Sequence, residues 1–230
     1  MTIARATIFG GSGFIGRHIV KRLAQRGVVV RAAGRDPEAA LFLKPMGQVG
    51  QIAPVRADIR SEKDVAAAVA GVDLVVNAVS LGVQTGRDRF ADVHVQGAKR
   101  VARLAAAAGA KRLIHISGIG SDPDSDSAYV AARGHGDRAV KEAFPAATLL
   151  KPSVVFGPGD HFFTTFAAMA RLSWALPLFG GGQLQRVGAG RLLHAEHDRR
   201  VGAVGAGAAP RCGADLHLGR SMSAASPTRR

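Results

Sequence analysis

Gly10-Gly11-Ser12-Gly13-Phe14-Ile15-Gly16 decides how the rest of the chain is read. Ala6–Phe9, just before it, is a short apolar run; Phe14–Arg26, which follows, carries Ile15, Ile19, Val20 and Leu23 at helical spacing. The glycines therefore close a strand and open a helix, the context in which such a pattern has a mechanism. Gly10 allows the tight turn, Gly13 lets the backbone approach a diphosphate, and Gly16 lets the helix pack on the sheet. The free amides of Ser12, Gly13, Phe14 and Ile15 and the positive end of the helix dipole favour an anion there. Ser12 reads as a phosphate contact rather than a nucleophile. No Gly-Lys-Ser/Thr follows, which argues against a nucleoside-triphosphatase loop.

Outward from this turn, strand and helix patterns alternate. Val28–Ala33 and Ile52–Ala57 are apolar runs, and Ser61–Ala70 is a helix candidate with Ser61 as N-cap. Leu74–Val79 is a fourth strand, and Phe90–Ala108 a long Ala-rich helix stopped by Gly109. Arg112–Ser117, a helix over Tyr129–Phe144 and a last strand over Ala147–Leu150 complete the series. Buried strands joined by amphipathic helices imply right-handed βαβ crossovers. The expected fold is α/β: a Rossmann-type, doubly wound parallel sheet with helices on both faces. Residues 1–182 read as this dinucleotide-binding domain with the start of a small, incomplete C-terminal substrate region. After Gly180-Gly181-Gly182 no period of 2 or 3.6 is sustained, and residues 183–230 read as an irregular tail.

Ligands of such sheets lie at the carboxyl ends of the strands. Arg35 stands where an NAD site usually has an acid for the ribose 2′-hydroxyl, and a guanidinium there suits a 2′-phosphate, so NADP(H) is favoured over NAD(H). Asp36 complicates that reading, and a merely solvated Arg35 is its alternative. Asp58 is placed either for the adenine amine or as a helix-start residue, and Asn77-Ala78-Val79 ends the fourth strand beside the expected ribose.

Composition bounds the rest. Of 230 residues 47% are hydrophobic and 5% aromatic, so the core is aliphatic. The formal charge is +14, but no aromatic-and-basic recognition pattern accompanies it, which argues against nucleic acid. Cys212 is the single cysteine, which excludes an intrachain disulfide. The N-terminus runs straight into a strand without a targeting segment, and no apolar run reaches the roughly 18 residues of a spanning helix. The expected location is cytoplasmic, with a peripheral membrane position left open. His194-Ala195-Glu196-His197 lacks the His-Glu-x-x-His spacing, and no metal is expected.

With Gly10, Gly13, Gly16, Asp58, Asn77-Ala78, the Ser117 strand end and Tyr129, residues 4–182 resemble the extended or atypical short-chain dehydrogenase/reductases, which include NAD-dependent epimerase/dehydratase-like proteins. Two further stretches, Leu43–Gln51 and Ala143–Phe163, resemble the NADPH-binding accessory subunit of respiratory complex I and its bacterial relatives. The resemblance implies a cofactor held for stability more than for turnover, Pro152 and Ser153 near the nicotinamide, and complex I subunits, at the inner face of the respiratory membrane, as partners.

Active members of the superfamily use Ser, Tyr and Lys, with the Tyr as proton donor or acceptor. Tyr129 is in place, but one turn on stands Arg133 rather than Lys, and Ser117 is followed by Gly118 and Ile119. His94 stands near where a helix Asn often organises a proton relay. Tyr129, Arg133 and Ser117 are the candidate catalytic residues, with a buried or ribose-contacting Tyr129 as the alternative. The leading expectation is a largely non-catalytic NADP(H)-binding accessory or assembly subunit. The alternatives are an active oxidoreductase or epimerase on a sugar nucleotide or other carbonyl compound, and a defective product. In the resembled family the chain continues past the glycines into further strands and helices. Here Gln185-Arg186-Val187 is the last hint of them, so a truncated or frame-shifted member is expected.

Overall fold

The structure is a computed structural model that describes residues 3–86, 88–157 and 159–160. Residues 183–230, read from the sequence as an irregular tail, and with them the histidines at 194 and 197, lie outside the described residues. Six strands, β1 (Arg5–Phe9), β2 (Val29–Gly34), β3 (Ile52–Arg56), β4 (Leu74–Asn77), β5 (Arg112–Ile116) and β6 (Thr148–Leu150), form one parallel sheet in the order β3-β2-β1-β4-β5-β6. This is the doubly wound order expected from the sequence, with its switch point between β1 and β4. Phe9 pairs with Ala33 on one side and Asn77 on the other, so the Gly10 turn leaves the sheet at that switch point.

Alternation along the strands sends side chains to two aliphatic layers. Ala6, Ile8, Val30 and Ala32 pack with Val20 and Ala24 of α1 (Phe14–Ala24) on one face. Phe9, Val75 and Leu113 pack on the other with Val65 of α2 (Glu62–Val69), Val101 and Ala105 of α3 (Ala98–Ala107) and Val140 of α4 (Ala128–Ala143). Ser61 caps α2 as expected, its hydroxyl accepting from the Asp64 amide at 3.3 Å. Arg31, in the middle of β2, donates to the carbonyls of Ala68 and Ala70 at the other end of α2, which explains a charge inside a strand.

Two elements differ from the sequence expectation. Glu38–Met46 forms a 3-10 segment, and Asp36 caps its start by accepting from the amides of Glu38 and Ala39 at 3.0 and 3.1 Å. The single helix expected over 90–108 is a π-helical turn, Ala91–Gly97, followed by α3. Both neighbours of that turn approach unusually closely. A Cβ on Gly136 of α4 would overlap the His94 carbonyl, and one on Gly97 would meet the Ile59 side chain at 2.7 Å. The wider turn accommodates this backbone-to-backbone packing, and π-turns often mark functional sites.

The stretch around Gln51 is a brace. Its amide nitrogen donates to the carbonyls of Ala24 and Val28, closing the end of α1, and its oxygen accepts from the Gln48 amide. No helix of the described residues is long and apolar enough to cross a membrane.

Candidate functional site

The site begins at the glycine turn. Gly10 takes φ +74°, and a Cβ there would stand 2.9 Å from the Ala78 carbonyl oxygen, where the turn passes over the end of β4. A Cβ on Gly16 would overlap the Gly10 carbonyl oxygen outright and press on Gly11 at 2.9 Å. Gly13 is different: it is exposed with φ −68°, and its Cβ would meet only the Gly10 carbonyl oxygen, at 3.2 Å. Gly10 and Gly16 are thus required by the turn itself, whereas Gly13 leaves its outer side open to a ligand.

The first helical hydrogen bond of α1 runs from the Arg17 amide to the Gly13 carbonyl. The amides of Phe14, Ile15 and Gly16 therefore have no acceptor within the helix. The first turn of α1 holds no acid, and Arg17 turns its Nε back to the Gly13 carbonyl at 3.3 Å. A small-residue cradle, unpaired helix-start amides and an adjacent guanidinium fit a diphosphate. Arg17 went unnoticed in the sequence, although its place four residues after Gly13 puts it one turn into the helix, above that cradle.

Beyond β2 and β3 lies a charged knot. Arg35, 65% exposed, reaches one oxygen of Asp88 at 2.9 Å, and Arg60 reaches the other at 2.6 Å. Arg60 also grips Asp58 with Nε and Nη2, and its amide donates to the same carboxylate. The hydrogen bonds from Arg60 hold the Asp58 carboxyl below its ordinary range, against the opposing effect of partial burial. An adenine contact by Asp58 would thus share a carboxylate already engaged. Asp36 commits Oδ1 to its amide cap, which orients the carboxylate toward the 38–46 segment. Arg60 and Asp88 were not anticipated; the order of the strands, not their spacing in the sequence, brings them to Arg35.

Asn77 is buried, and its side-chain oxygen accepts from the Val79 amide at 3.2 Å, shaping the exit of β4 through Ala78. On the far side the β5–β6 pairing continues past the strands: the Ser117 amide donates to the Leu150 carbonyl and the Ile119 amide to the Pro152 carbonyl. This brings the Ser117–Ile119 segment alongside Pro152 and Ser153.

Tyr129, Arg133 and Asp137 form a stripe along α4, one turn apart. Arg133 is buried. Its Nη1 donates to both Ser80 Oγ and Tyr129 Oη at 3.0 Å, and its Nη2 to the Ile116 carbonyl at 3.2 Å. A Cβ on Gly118 would lie 3.3 Å from Arg133 Nε, so the small residue at 118 and the large cation at 133 occupy one space. Tyr129 is stacked edge-on against Phe90 and His94, at centroid distances of 5.4 and 5.6 Å. His94 Nε2 donates to the Leu81 carbonyl at 2.9 Å, and burial, with the charge of Arg133, lowers its pKa.

The lower end of the stripe is a buried ionic cluster. Asp137 accepts from Ser121 Oγ at 2.7 Å and Lys151 Nζ at 2.9 Å, and its other oxygen faces His115 Nε2 at 3.8 Å. Burial opposes its ionisation, but the hydrogen bonds outweigh burial and hold the carboxyl below its ordinary range. His115 Nδ1, Arg133 Nε and Asp137 Oδ1 are buried here without hydrogen-bond partners; Ser117 Oγ makes no hydrogen bond of good geometry but lies close enough to Asp137 to help lower its pKa. Ser117 therefore belongs to the Asp137 end, while Tyr129 and Arg133 meet at the other. No metal-holding cluster occurs among the described residues.

Burial depresses the His115 pKa to about 4 from 6.5, Asp137 opposing and Arg133 adding to the shift. A folded-state pKa below the unfolded one means that the unfolded chain binds the extra proton. Stability is then complete above about pH 6.5 and falls as the pH drops toward 4, by up to about 3 kcal/mol for this group. Urea titrations between pH 7 and 4 should show that slope, and His115→Leu should remove most of it. An unchanged slope in the variant would refute the assignment.

A family profile described as NAD(P)H-binding matches residues 10–154, from the glycine turn to just beyond β6. The 40 kDa subunit of NADH-ubiquinone oxidoreductase from Neurospora crassa is 32% identical over 167 residues, 73% of this chain and 44% of that one. A ceramide reductase from Caulobacter vibrioides is 31% identical over 193 residues, 82% of this chain and 56% of that protein. Among solved structures, one from Bacillus halodurans, described as a candidate NAD-dependent epimerase/dehydratase, superposes with a TM-score of 0.58 at 26% identity, covering 69% of this chain and 74% of that one. The chain thus spans less than half the length of the Neurospora subunit it matches.

Proposed function

The chain belongs to the NAD(P)H-binding family, and from that premise we propose that it holds NADP(H) as a resident, largely unreactive group and serves a complex-I-like respiratory assembly as an accessory or stability subunit. The observation that carries the non-catalytic part is Arg133. In the active superfamily pattern a Lys at this position binds ribose and lowers the phenol pKa. Here the guanidinium is buried and spends Nη1 and Nη2 on Ser80, Tyr129 and the Ile116 carbonyl, so it braces Tyr129. Ser117 is buried beside Asp137, two turns along α4 from Tyr129, which supports the same reading.

In this reading the Gly10–Gly16 turn grips the diphosphate with Ser12 and the amides of Phe14 and Ile15; the Gly13 amide, expected to be free, instead donates to the Gly10 carbonyl at 3.0 Å and closes the turn, leaving Gly13 to supply open space. Arg35 faces the adenosine end, and Asn77, Ala78, Pro152 and Ser153 border the ribose and nicotinamide. When bound, the nicotinamide supplies the redox chemistry. The chain's own residues bind and orient it and hold Tyr129 still. Two guanidiniums after β2 and β3, Arg35 and Arg60, with Asp36 turned to cap the segment that follows, support NADP(H) over NAD(H). A position on the inner face of the respiratory membrane goes with the proposed assembly.

The alternative, an active oxidoreductase or epimerase, draws on the ceramide reductase likeness and on the cation that touches Tyr129 Oη. Fluorescence of cofactor released from the purified protein separates the two. The expected result is co-purifying NADPH, slow exchange with added cofactor, and no oxidation by carbonyl compounds, all unchanged in Tyr129→Phe. Turnover that Tyr129→Phe abolishes would overturn the proposal in favour of the enzyme. Arg35→Ala should weaken NADPH binding by roughly tenfold, the loss of one charge-assisted contact, and leave NADH binding as it was. An equal loss for both coenzymes would refute the 2′-phosphate role.

A further inference from the structure

The knot of Arg35, Asp88 and Arg60 does more than decorate the sheet edge. Asp88 belongs to the connection after β4, whereas Arg35 follows β2 and Arg60 follows β3. Since β1 separates β4 from β2, this connection reaches past β1 to deliver its carboxylate to residues that follow β2 and β3. Its backbone is set for that delivery by paired hydrogen bonds between Thr85 and Asp88, the Asp88 amide donating to Thr85 at 2.9 Å and the Thr85 amide to Asp88 at 3.2 Å. Each carboxylate oxygen takes one guanidinium, at 2.9 and 2.6 Å, and the Asp88 side chain is only 21% exposed.

We infer that Asp88 is an internal counter-anion, held in the space between Arg35 and Arg60, that a 2′-phosphate must displace, so that binding of the phosphate is coupled to release of the Thr85–Asp88 turn. The inference rests on the NADP(H) reading. A phosphate placed on both guanidiniums would lie against the Asp88 carboxylate, and two anions cannot share that distance without cost. The phosphate brings more charge and three acceptor oxygens to the same donors, and it prevails by exchange. A ligand with a bare 2′-hydroxyl has nothing to offer the guanidiniums and leaves Asp88 where it is. Asp88 therefore sets how far the two cations favour a phosphorylated adenosine, a repulsive element added to an attractive one. Arg60 becomes a second specificity residue beside Arg35, with Asp58 holding it in place.

Calorimetry on the full chain with adenosine 2′,5′-bisphosphate and 5′-AMP, which differ by that one phosphate, tests this. In the unmutated protein the bisphosphate should bind more tightly, and equal binding would remove the NADP(H) reading itself. Asp88→Asn should then tighten the bisphosphate by roughly three- to fivefold, the upper range for losing a partly exposed ion pair, and leave 5′-AMP unchanged. Arg60→Gln should weaken the bisphosphate alone. An Asp88→Asn variant with unchanged or weaker bisphosphate binding, or with both probes tightened equally, would overturn the counter-anion while leaving the NADP(H) preference standing. Independently of any variant, saturating bisphosphate should speed amide exchange at Thr85 and Asp88, and 5′-AMP should not; protection of those amides by the bisphosphate would likewise overturn it.

Discussion

Gly16→Ala should cost about 3 kcal/mol or more and abolish measurable coenzyme binding, whereas Gly13→Ala should fold nearly normally and lose binding alone. At position 16 the added methyl would overlap a backbone carbonyl, that of Gly10, and press on the Gly11 backbone as well. Neither atom can rotate away as a side chain would, so either α1 lifts from β1 or the turn opens. Both routes dismantle the packing of Val20 and Ala24 against Ile8 and Ala32. At position 13 the added methyl meets one oxygen at 3.2 Å in an ordinary backbone conformation, and its main effect is to fill ligand space. Thermal unfolding and coenzyme titration of the two variants separate the roles. A drop in Tm of roughly 6–12 °C is expected for Gly16→Ala. A Gly16→Ala protein with unaltered Tm, or a Gly13→Ala protein with unaltered affinity, would refute the division of labour.

Arg133→Met is expected to produce the second large effect, a loss of about 2 kcal/mol. The side chain is buried, and its removal strands the buried Ile116 carbonyl, worth about 1–3 kcal/mol when left unsatisfied, while water can take over at the half-buried Tyr129 hydroxyl and the exposed Ser80. Arg133→Lys should recover part of this, since an ammonium has donors but no planar fork to serve both the hydroxyl pair and the carbonyl. The spacing of Gly118 makes a sharper claim. Gly118→Ser should destabilise the unmutated protein more than it destabilises Arg133→Lys, because the residue at 118 and the guanidinium fill the same space. A double-mutant cycle by denaturant unfolding reads this coupling directly. Additive effects would show that 118 and 133 are independent, and an Arg133→Met protein as stable as the unmutated one would show that Arg133 braces nothing.

Much of this was legible in the chain itself. Periodicity and glycine placement determined six strands, their crossovers and the glycine turn between β1 and α1. Those signals are local: a strand's alternation, a helix's spacing and a turn's need for missing Cβ atoms are written within a few neighbouring residues. The Ser61 cap and the positions of Tyr129 and Arg133 came from the same short-range logic. The resemblance that singled out the Gln51 stretch did not show that Gln51 closes the end of α1, because its partners lie 23 and 27 residues away.

What only the tertiary structure decided involves groups that the strand order brings together. Asp36 could be read as a ribose acid until its carboxylate was found on the amides of a 3-10 segment that the sequence reading had missed. Gly118 and Arg133 looked like two separate departures from a catalytic pattern, yet they are one packing solution. Asp88 meets Arg35 and Arg60 from 53 and 28 residues away, across an intervening strand. Short-range patterns set which element each residue joins, but a carboxylate's partner depends on where distant elements dock, and that is fixed only when the whole sheet closes.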